Sequence, residues 1–129
     1  ALSRFVHDHV DILFANEDEA ASLCDSDVAT ATETLCKQVS EVVITRGAAG
    51  AFIGHGGSRH EVASRPLGPV EDTTGAGDLF AAGYLYGRTN GRDALASGTI
   101  ASLTAGEVIS HIGARPEADI ASMVMAEKL

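Results

Sequence analysis

Gly75, Ala76, Gly77 and Asp78 stand together in the stretch EDTTGAGDLF, residues 71–80, two glycines and an acid just before a run of helix formers. A helix start leaves backbone N–H groups without intrahelical partners. Those donors, with the helix dipole, favour an anion. Glycine lets the backbone approach such an anion closely and take a positive φ where the turn demands it. Donors arranged in this way stabilise charge on the equatorial oxygens of a phosphoryl group in transfer. Asp78, in the first helical turn, is then placed to accept the proton of an attacking hydroxyl. The alternative is a capped helix with an acid in its first turn and no ligand. The turn is not a Walker A loop, because no Lys-Ser/Thr follows the glycines, and it lacks the GxGxxG spacing of a dinucleotide loop.

An anion pocket needs a frame, and the pattern along the chain predicts one. Residues 2–9 (LSRFVHDH) read as the end of a helix. Val10 to Ala15 (VDILFA) is a short apolar run suited to a buried strand. Asn16 then opens an acid-rich helix, NEDEAASLC, with Asn as a good N-cap and acids at the positive helix end. A second helix is expected from Val28 to Val39, and Glu41 to Arg46 (EVVITR) is another buried strand, ended by Gly47. AFIG at 51–54 and RHEVA at 59–63 flank His55-Gly-Gly-Ser58, a hairpin pattern. Pro66 and Pro69 mark an extended connection. From Gly77 the sequence turns helical and apolar until Asn90-Gly91 breaks it. Residues 92–111 form a second long helix, stopped by Ile112-Gly-Ala-Arg-Pro116, and a short helix follows from about Glu117 to Glu127. Strands alternating with helices predict an α/β layer with a mostly parallel sheet. Ligands in such sheets bind beyond the carboxyl ends of the strands. The Asn16-Glu17, Arg46-Gly47 and Thr73-to-Asp78 segments each follow a predicted strand and are expected to converge on one edge.

Composition narrows the function. The 129 residues are 45% hydrophobic, enough for one domain with a core and against disorder. Eighteen acids against nine bases give a net charge of −9, and no Lys/Arg cluster exists to meet nucleic-acid or membrane phosphates. No nucleic-acid or membrane partner is therefore expected, and the balance suits a cytoplasmic enzyme. No run approaches the roughly 18 apolar residues of a membrane span, and no signal peptide is visible. The chain opens on Ala1 in what reads as a helix end, so the true amino terminus is expected upstream. Cys24 and Cys36 sit in helical patterns and read as reduced packing residues. His7, His9, His55, His60 and His111 lack a metal spacing, and Met123 and Met125 read as packing residues.

The stretch Asp72-Thr-Thr-Gly-Ala-Gly-Asp78, followed by Leu-Phe-Ala-Ala-Gly83, closely resembles the carboxy-terminal motif of the ribokinase-like (PfkB) family of carbohydrate and nucleoside kinases, with no departure over Asp72–Leu85. Asn16-Glu-Asp-Glu19 resembles the family's N-x-x-E motif, and Val43-Ile-Thr-Arg-Gly-Ala-Ala-Gly50 resembles its nucleotide-contacting strand and turn. DLFAAGYLYG and EVISHIGARP are most similar to the adenosine-kinase and sugar-kinase branches. The resemblance covers nearly the whole chain. It implies a three-layer α/β/α fold with a mostly parallel sheet, of which residues 1–129 are the carboxy-terminal nucleotide-binding and catalytic part, without the amino-terminal half and lid.

The same resemblance implies roles. Asp78 would be the base that deprotonates the acceptor hydroxyl, and the amides of Gly75, Ala76 and Gly77 the anion hole for the γ-phosphoryl group. Asn16 and Glu19 would order Mg²⁺ through water, which fits its preference for oxygen ligands and retained waters. Thr45, Arg46, Gly47, Gly50 and Thr74 would lie along ATP, with Gly98 and Ser102 bordering the adenine. Arg46 has a second reading as a surface charge at a strand end. The Gly113-Ala-Arg115 turn, with Asp72 and Thr73, resembles a K⁺ loop, while Gly113 also reads as a helix C-cap. The implied activity is transfer of the γ-phosphoryl of ATP to a primary alcohol of a sugar or nucleoside. A nucleotide-binding relative that transfers nothing is the alternative. The acceptor is left open, adenosine ahead of ribose and fructose, and an uncovered sheet edge leaves room for a homo-oligomer.

Overall fold

A computed structural model describes residues 2–66, 75–108 and 119–127. In chain order these form α1 (Leu2–His9), β1 (Ile12–Asn16), α2 (Glu17–Cys24), α3 (Val28–Gln38), β2 (Glu41–Thr45), a 3₁₀ turn (Gly47–Ala49), β3 (Ala51–His55), β4 (Ser58–Val62), α4 (Ala76–Thr89), α5 (Ala94–Val108) and α6 (Ile120–Ala126). The first strand starts later than its apolar run because the Val10 N–H donates to the Val6 carbonyl at 3.2 Å, extending the hydrogen bonding of α1. Helix α5 starts at Ala94 and not at residue 92, because the Asp93 carboxylate accepts from the Ala96 N–H at 2.8 Å and so acts as its cap.

The sheet has the order β1-β2-β3-β4. Strands β1 and β2 run parallel, from Ile12 opposite Glu41 to Asn16 opposite Thr45, with α2 and α3 as the crossover. Strands β2 and β3 run antiparallel, from Glu41 opposite His55 to Thr45 opposite Ala51. Among the described residues the expected parallel pairing is that of β1 with β2. A parallel neighbour requires a crossover of a dozen or so residues, and the turn between β2 and β3 is far too short. The hairpin from β3 to β4 turns on Gly56 and Gly57, whose φ values of 55° and 84° are the positive pair a type I′ turn needs.

The described residues divide into two compact units, residues 1–47 with 51–61 and residues 48–50 with 62–129. In the first unit Val42 and Ile44 of β2, with Phe52 of β3, meet Ala20, Ala31 and Leu35 of the two crossover helices in one buried cluster. Val43 and Ile53, on alternate positions of the same strands, are also fully buried. Cys24 and Cys36 pack against this core as free thiols, and burial pushes both thiol pKa values up, which keeps them protonated and unreactive.

In the second unit α4 and α5 lie close together because small residues face each other. A Cβ on Gly83 would sit 2.9 Å from the Ala101 Cα, and one on Gly87 would sit 2.5 Å from the Ser97 Oγ and 2.8 Å from its Cα. Helix α5 buries Ser97, Ser102, Thr104 and Glu107 along with Ile100, Ala101 and Leu103. Thr104 satisfies its hydroxyl by donating to the Ile100 carbonyl at 2.9 Å. None of the residues of α6 is buried. Among the described residues no helix is long and apolar enough to cross a membrane.

Candidate active site

Gly75 is the N-cap of α4 and takes φ 77°, a left-handed conformation open to glycine at little cost. The first intrahelical bond of α4 runs from the Leu79 N–H to the Gly75 carbonyl at 3.0 Å. The amides of Ala76, Gly77 and Asp78 precede it, and among the described residues no side chain caps them. The other helix starts are treated differently. Asn16 caps α2, Asp27 caps α3, Asp93 caps α5 and Asp119 caps α6, each through a side-chain oxygen. At α4 the sequence places a glycine where the others place a capping side chain.

Gly77 and Asp78 are exposed on the first turn of α4. A Cβ on Gly77 would meet nothing within 4 Å among the described residues, and its φ lies outside the left-handed region. Neither crowding nor backbone conformation therefore calls for glycine at this position, although glycine costs a helix about 1 kcal/mol relative to alanine. The open space above it leaves room for a ligand to approach the turn. The sequence-predicted turn of Gly75, Ala76, Gly77 and Asp78 is thus assembled as an uncapped helix start with a carboxylate beside it.

In the first unit, the carboxyl ends of the parallel strands bring a second group together. Asn16 ends β1 directly opposite Thr45, which ends β2 and leads to Arg46 and Gly47. Asn16 and Glu19 form a capping box. The Glu19 N–H donates to Asn16 Oδ1 at 2.8 Å, and the Asn16 N–H donates to Glu19 Oε2 at 2.9 Å. This accounts for both residues structurally and leaves Glu19 Oε1, on an exposed side chain, outside the box. Arg46 donates to Glu61 Oε1 at 3.0 Å and lies 5.6 Å from the centre of the Phe52 ring. Its guanidinium is engaged at the strand end. Gly47 takes φ 57°.

Gly50 has a packing role that the sequence did not reveal. Its φ is 95°, and a Cβ there would sit 1.9 Å from the Val62 carbonyl oxygen. Gly98 and Ser102 are both buried in α5. The Ser102 Oγ has no hydrogen-bond partner among the described residues, a costly state for a buried hydroxyl unless a ligand or water meets it. Ser97, packed on Gly87, shares that state, so the orphaned hydroxyl alone does not single out Ser102. Asp72, Thr73, Thr74 and Gly113 lie outside the described residues.

Comparison with known proteins gives this geometry a context. A family model described as pfkB family carbohydrate kinase matches residues 1–121. An uncharacterized sugar kinase of Archaeoglobus fulgidus is 37% identical over 106 residues, which are 81% of this chain and 42% of that protein. The crystal structure of an adenosine kinase from Sinorhizobium meliloti is similar at a TM-score of 0.90 and 36% identity, over 98% of this chain and 39% of that one. A ribokinase of Arabidopsis thaliana, solved with ribose and ATP, is similar at a TM-score of 0.84 and 25% identity, over 96% of this chain and 43% of that one. The chain therefore spans well under half the length of each of these relatives.

Proposed function

This chain belongs to the pfkB family of carbohydrate kinases, and from that membership we propose that its parent protein transfers the γ-phosphoryl group of ATP to a primary alcohol of a sugar or nucleoside. The observation that carries the reading is the start of α4. There a left-handed glycine replaces a capping side chain, a second glycine faces open space, and an exposed carboxylate follows.

In this reading the amides of Gly75, Ala76 and Gly77 point at the γ-phosphoryl oxygens and stabilise the charge that builds on them. Asp78 accepts the proton of the attacking hydroxyl as the new P–O bond forms and the bond to the ADP oxygen breaks. Asn16 and Glu19 hold the magnesium of Mg·ATP through water, Glu19 Oε1 being the oxygen outside the capping box. Magnesium supplies charge neutralisation on the β and γ oxygens. Thr45, Arg46, Gly47, Gly50 and Thr74 would lie along ATP, Gly98 and Ser102 would border the base, and Asp72, Thr73 and Gly113 would hold K⁺. Adenosine is the first acceptor to test, because of the similarity to an adenosine kinase; ribose and fructose follow.

The test is ADP release by the full gene product supplied with Mg·ATP and K⁺ and each acceptor in turn, with Asp78→Asn in parallel. The variant is expected to lose about 10²–10⁴-fold in turnover, the range of a general base, while ADP affinity stays within twofold. Equal turnover in the variant would remove Asp78 from the role of base. Retained ATP binding with no turnover on any acceptor would favour a nucleotide-binding protein without transfer.

A further inference from the structure

Strand β2 leaves the sheet through Thr45, Arg46 and Gly47, and Gly47 opens a 3₁₀ turn none of whose residues is buried. A Cβ on Gly47 would meet nothing within 4 Å among the described residues, and its φ is 57°. Packing around Gly47 therefore does not fix the chain at this point, although Ile44 just before Thr45 is fully buried. The Arg46 side chain supplies the hold. Its guanidinium lies over the Phe52 ring, 5.6 Å from the centre, and Nη1 donates to Glu61 Oε1 at 3.0 Å. Phe52 stands opposite Ile44 in the β2–β3 register and belongs to the buried cluster with Ala31 and Leu35 of α3. Arg46 is thus folded back onto that face of the sheet, whereas Thr45 falls on the other by the alternation of a strand. Glu61 is 75% exposed, so its ion pair adds little to the stability of the fold.

We infer that Glu61 is a positioning residue for the Thr45–Gly47 strand end, acting through Arg46. The inference rests on the kinase reading, in which Thr45, Arg46 and Gly47 lie along ATP. Arg46 then serves the site through its backbone, and its side chain is a strut from β2 to β4. A strut of this kind pre-organises the strand end, so that less freedom is lost when nucleotide binds. It contributes no more than its own strength, about fivefold in an equilibrium constant for an exposed ion pair. Strand β4 carries a pair of the same kind for comparison. The Arg59 guanidinium donates to both carboxylate oxygens of Glu33, with Nη2 to Oε2 at 2.9 Å. That pair ties β4 to α3 and includes no residue of Thr45–Gly47.

The experiment measures Mg·ATP affinity by calorimetry on the full gene product without acceptor, for Glu61→Ala, Arg46→Ala, the double variant and Glu33→Ala. Each of the first two is expected to weaken Mg·ATP about three- to fivefold, with Tm nearly unchanged. The double variant is expected to be no weaker than either alone, because the two side chains act as one unit. Glu33→Ala is expected to stay within twofold of wild type. With an acceptor that supports turnover, the KM for ATP should rise in step in Glu61→Ala while kcat is unchanged. An affinity of Glu61→Ala within twofold of wild type overturns the inference. So does a tighter affinity, which would make Glu61 a competitor of the phosphates for Arg46. A loss in Arg46→Ala well beyond that in Glu61→Ala makes Arg46 a direct nucleotide ligand and overturns the strut. A loss in Glu33→Ala as large as that in Glu61→Ala assigns the effect to β4 as a whole and overturns it too. In all of these the kinase reading stands, since the wild-type protein binds ATP and Asp78→Asn still removes turnover. A wild-type protein that binds no Mg·ATP overturns the nucleotide reading, and this inference with it.

Discussion

Replacing Gly77 by alanine separates the two explanations of the α4 start, because they predict opposite signs in two assays. The added Cβ meets nothing within 4 Å and the residue does not need a positive φ, so the substitution introduces no strain. Alanine loses less backbone entropy than glycine on entering a helix, which stabilises the fold by about 0.5–1 kcal/mol. For a protein of moderate size that is a rise in Tm of about 2–4 °C. If the turn holds a phosphoryl group, the same methyl group stands where the anion must approach. Removing one donor of an oxyanion hole costs about 10²–10³-fold in kcat. Gly77→Ala displaces a donor without removing it, so a loss of about tenfold is expected. Differential scanning fluorimetry and steady-state ADP release on the full gene product read both effects. A higher Tm with unchanged kcat would show that the glycine serves no phosphate and refute the reasoning from open space. A lower Tm would refute the description of the helix start. Gly75 is unsuitable for this test, because at φ 77° any side chain adds strain of its own.

Gly87→Ala should destabilise by about 1–3 kcal/mol through overpacking, since its Cβ would meet the Ser97 backbone at 2.8 Å; urea unfolding measures this. Asn16→Ala removes the α2 cap and should cost about 0.5–2 kcal/mol, equally with and without Mg²⁺ if the capping box is its whole role; a larger loss of turnover at limiting Mg²⁺ would assign it to the metal as well. Glu33, hydrogen-bonded to Arg59, and Asp27, which accepts from the Thr30 N–H, are both held below the usual carboxylate range. Because the folded values are the lowered ones, these groups stabilise the protein above the ordinary carboxylate range. That contribution is lost as pH falls through their lowered values. A pH series of unfolding midpoints should fall on the acid side, and less steeply in Glu33→Gln.

The sequence disclosed what depends on neighbours along the chain. Asn16 could be read as a cap and the Gly56-Gly57 pair as a hairpin turn, local rules of the backbone that the structure bears out. The small apolar run after Gly77 reads as a buried helix packed closely on a sheet, and it is a helix, but its glycines pack on α5. What could not be read depends on partners distant in sequence. Gly50 stands out in the sequence only through the resemblance of Val43–Gly50 to a nucleotide-contacting turn; that its lack of a side chain also answers to the Val62 carbonyl depends on a residue twelve positions away. Arg46 carried two readings that only the positions of Glu61 and Phe52 could weigh. Nothing local marks Arg65 and Glu127, two charges that hydrogen-bond across 62 positions of sequence. The direction of β3 relative to β2 was implicit in the short connection between them.

Strand β2 occupies the middle of these relationships, with a parallel neighbour reached through two helices on one side and an antiparallel neighbour reached through a short turn on the other. The two pairings differ in the loop that must close before either can form. Closing the shorter loop costs less chain entropy, and contacts between near parts of the chain form sooner than distant ones. The β2–β3–β4 meander is thus the piece that assembles early, and the docking of β1 with α2 and α3 is the slower event. Val42, Val43 and Ile44 are fully buried, and their amides are expected to open only when the first unit unfolds as a whole. In hydrogen exchange their protection would report the global stability of that unit, while the amides of β1 would report the later step.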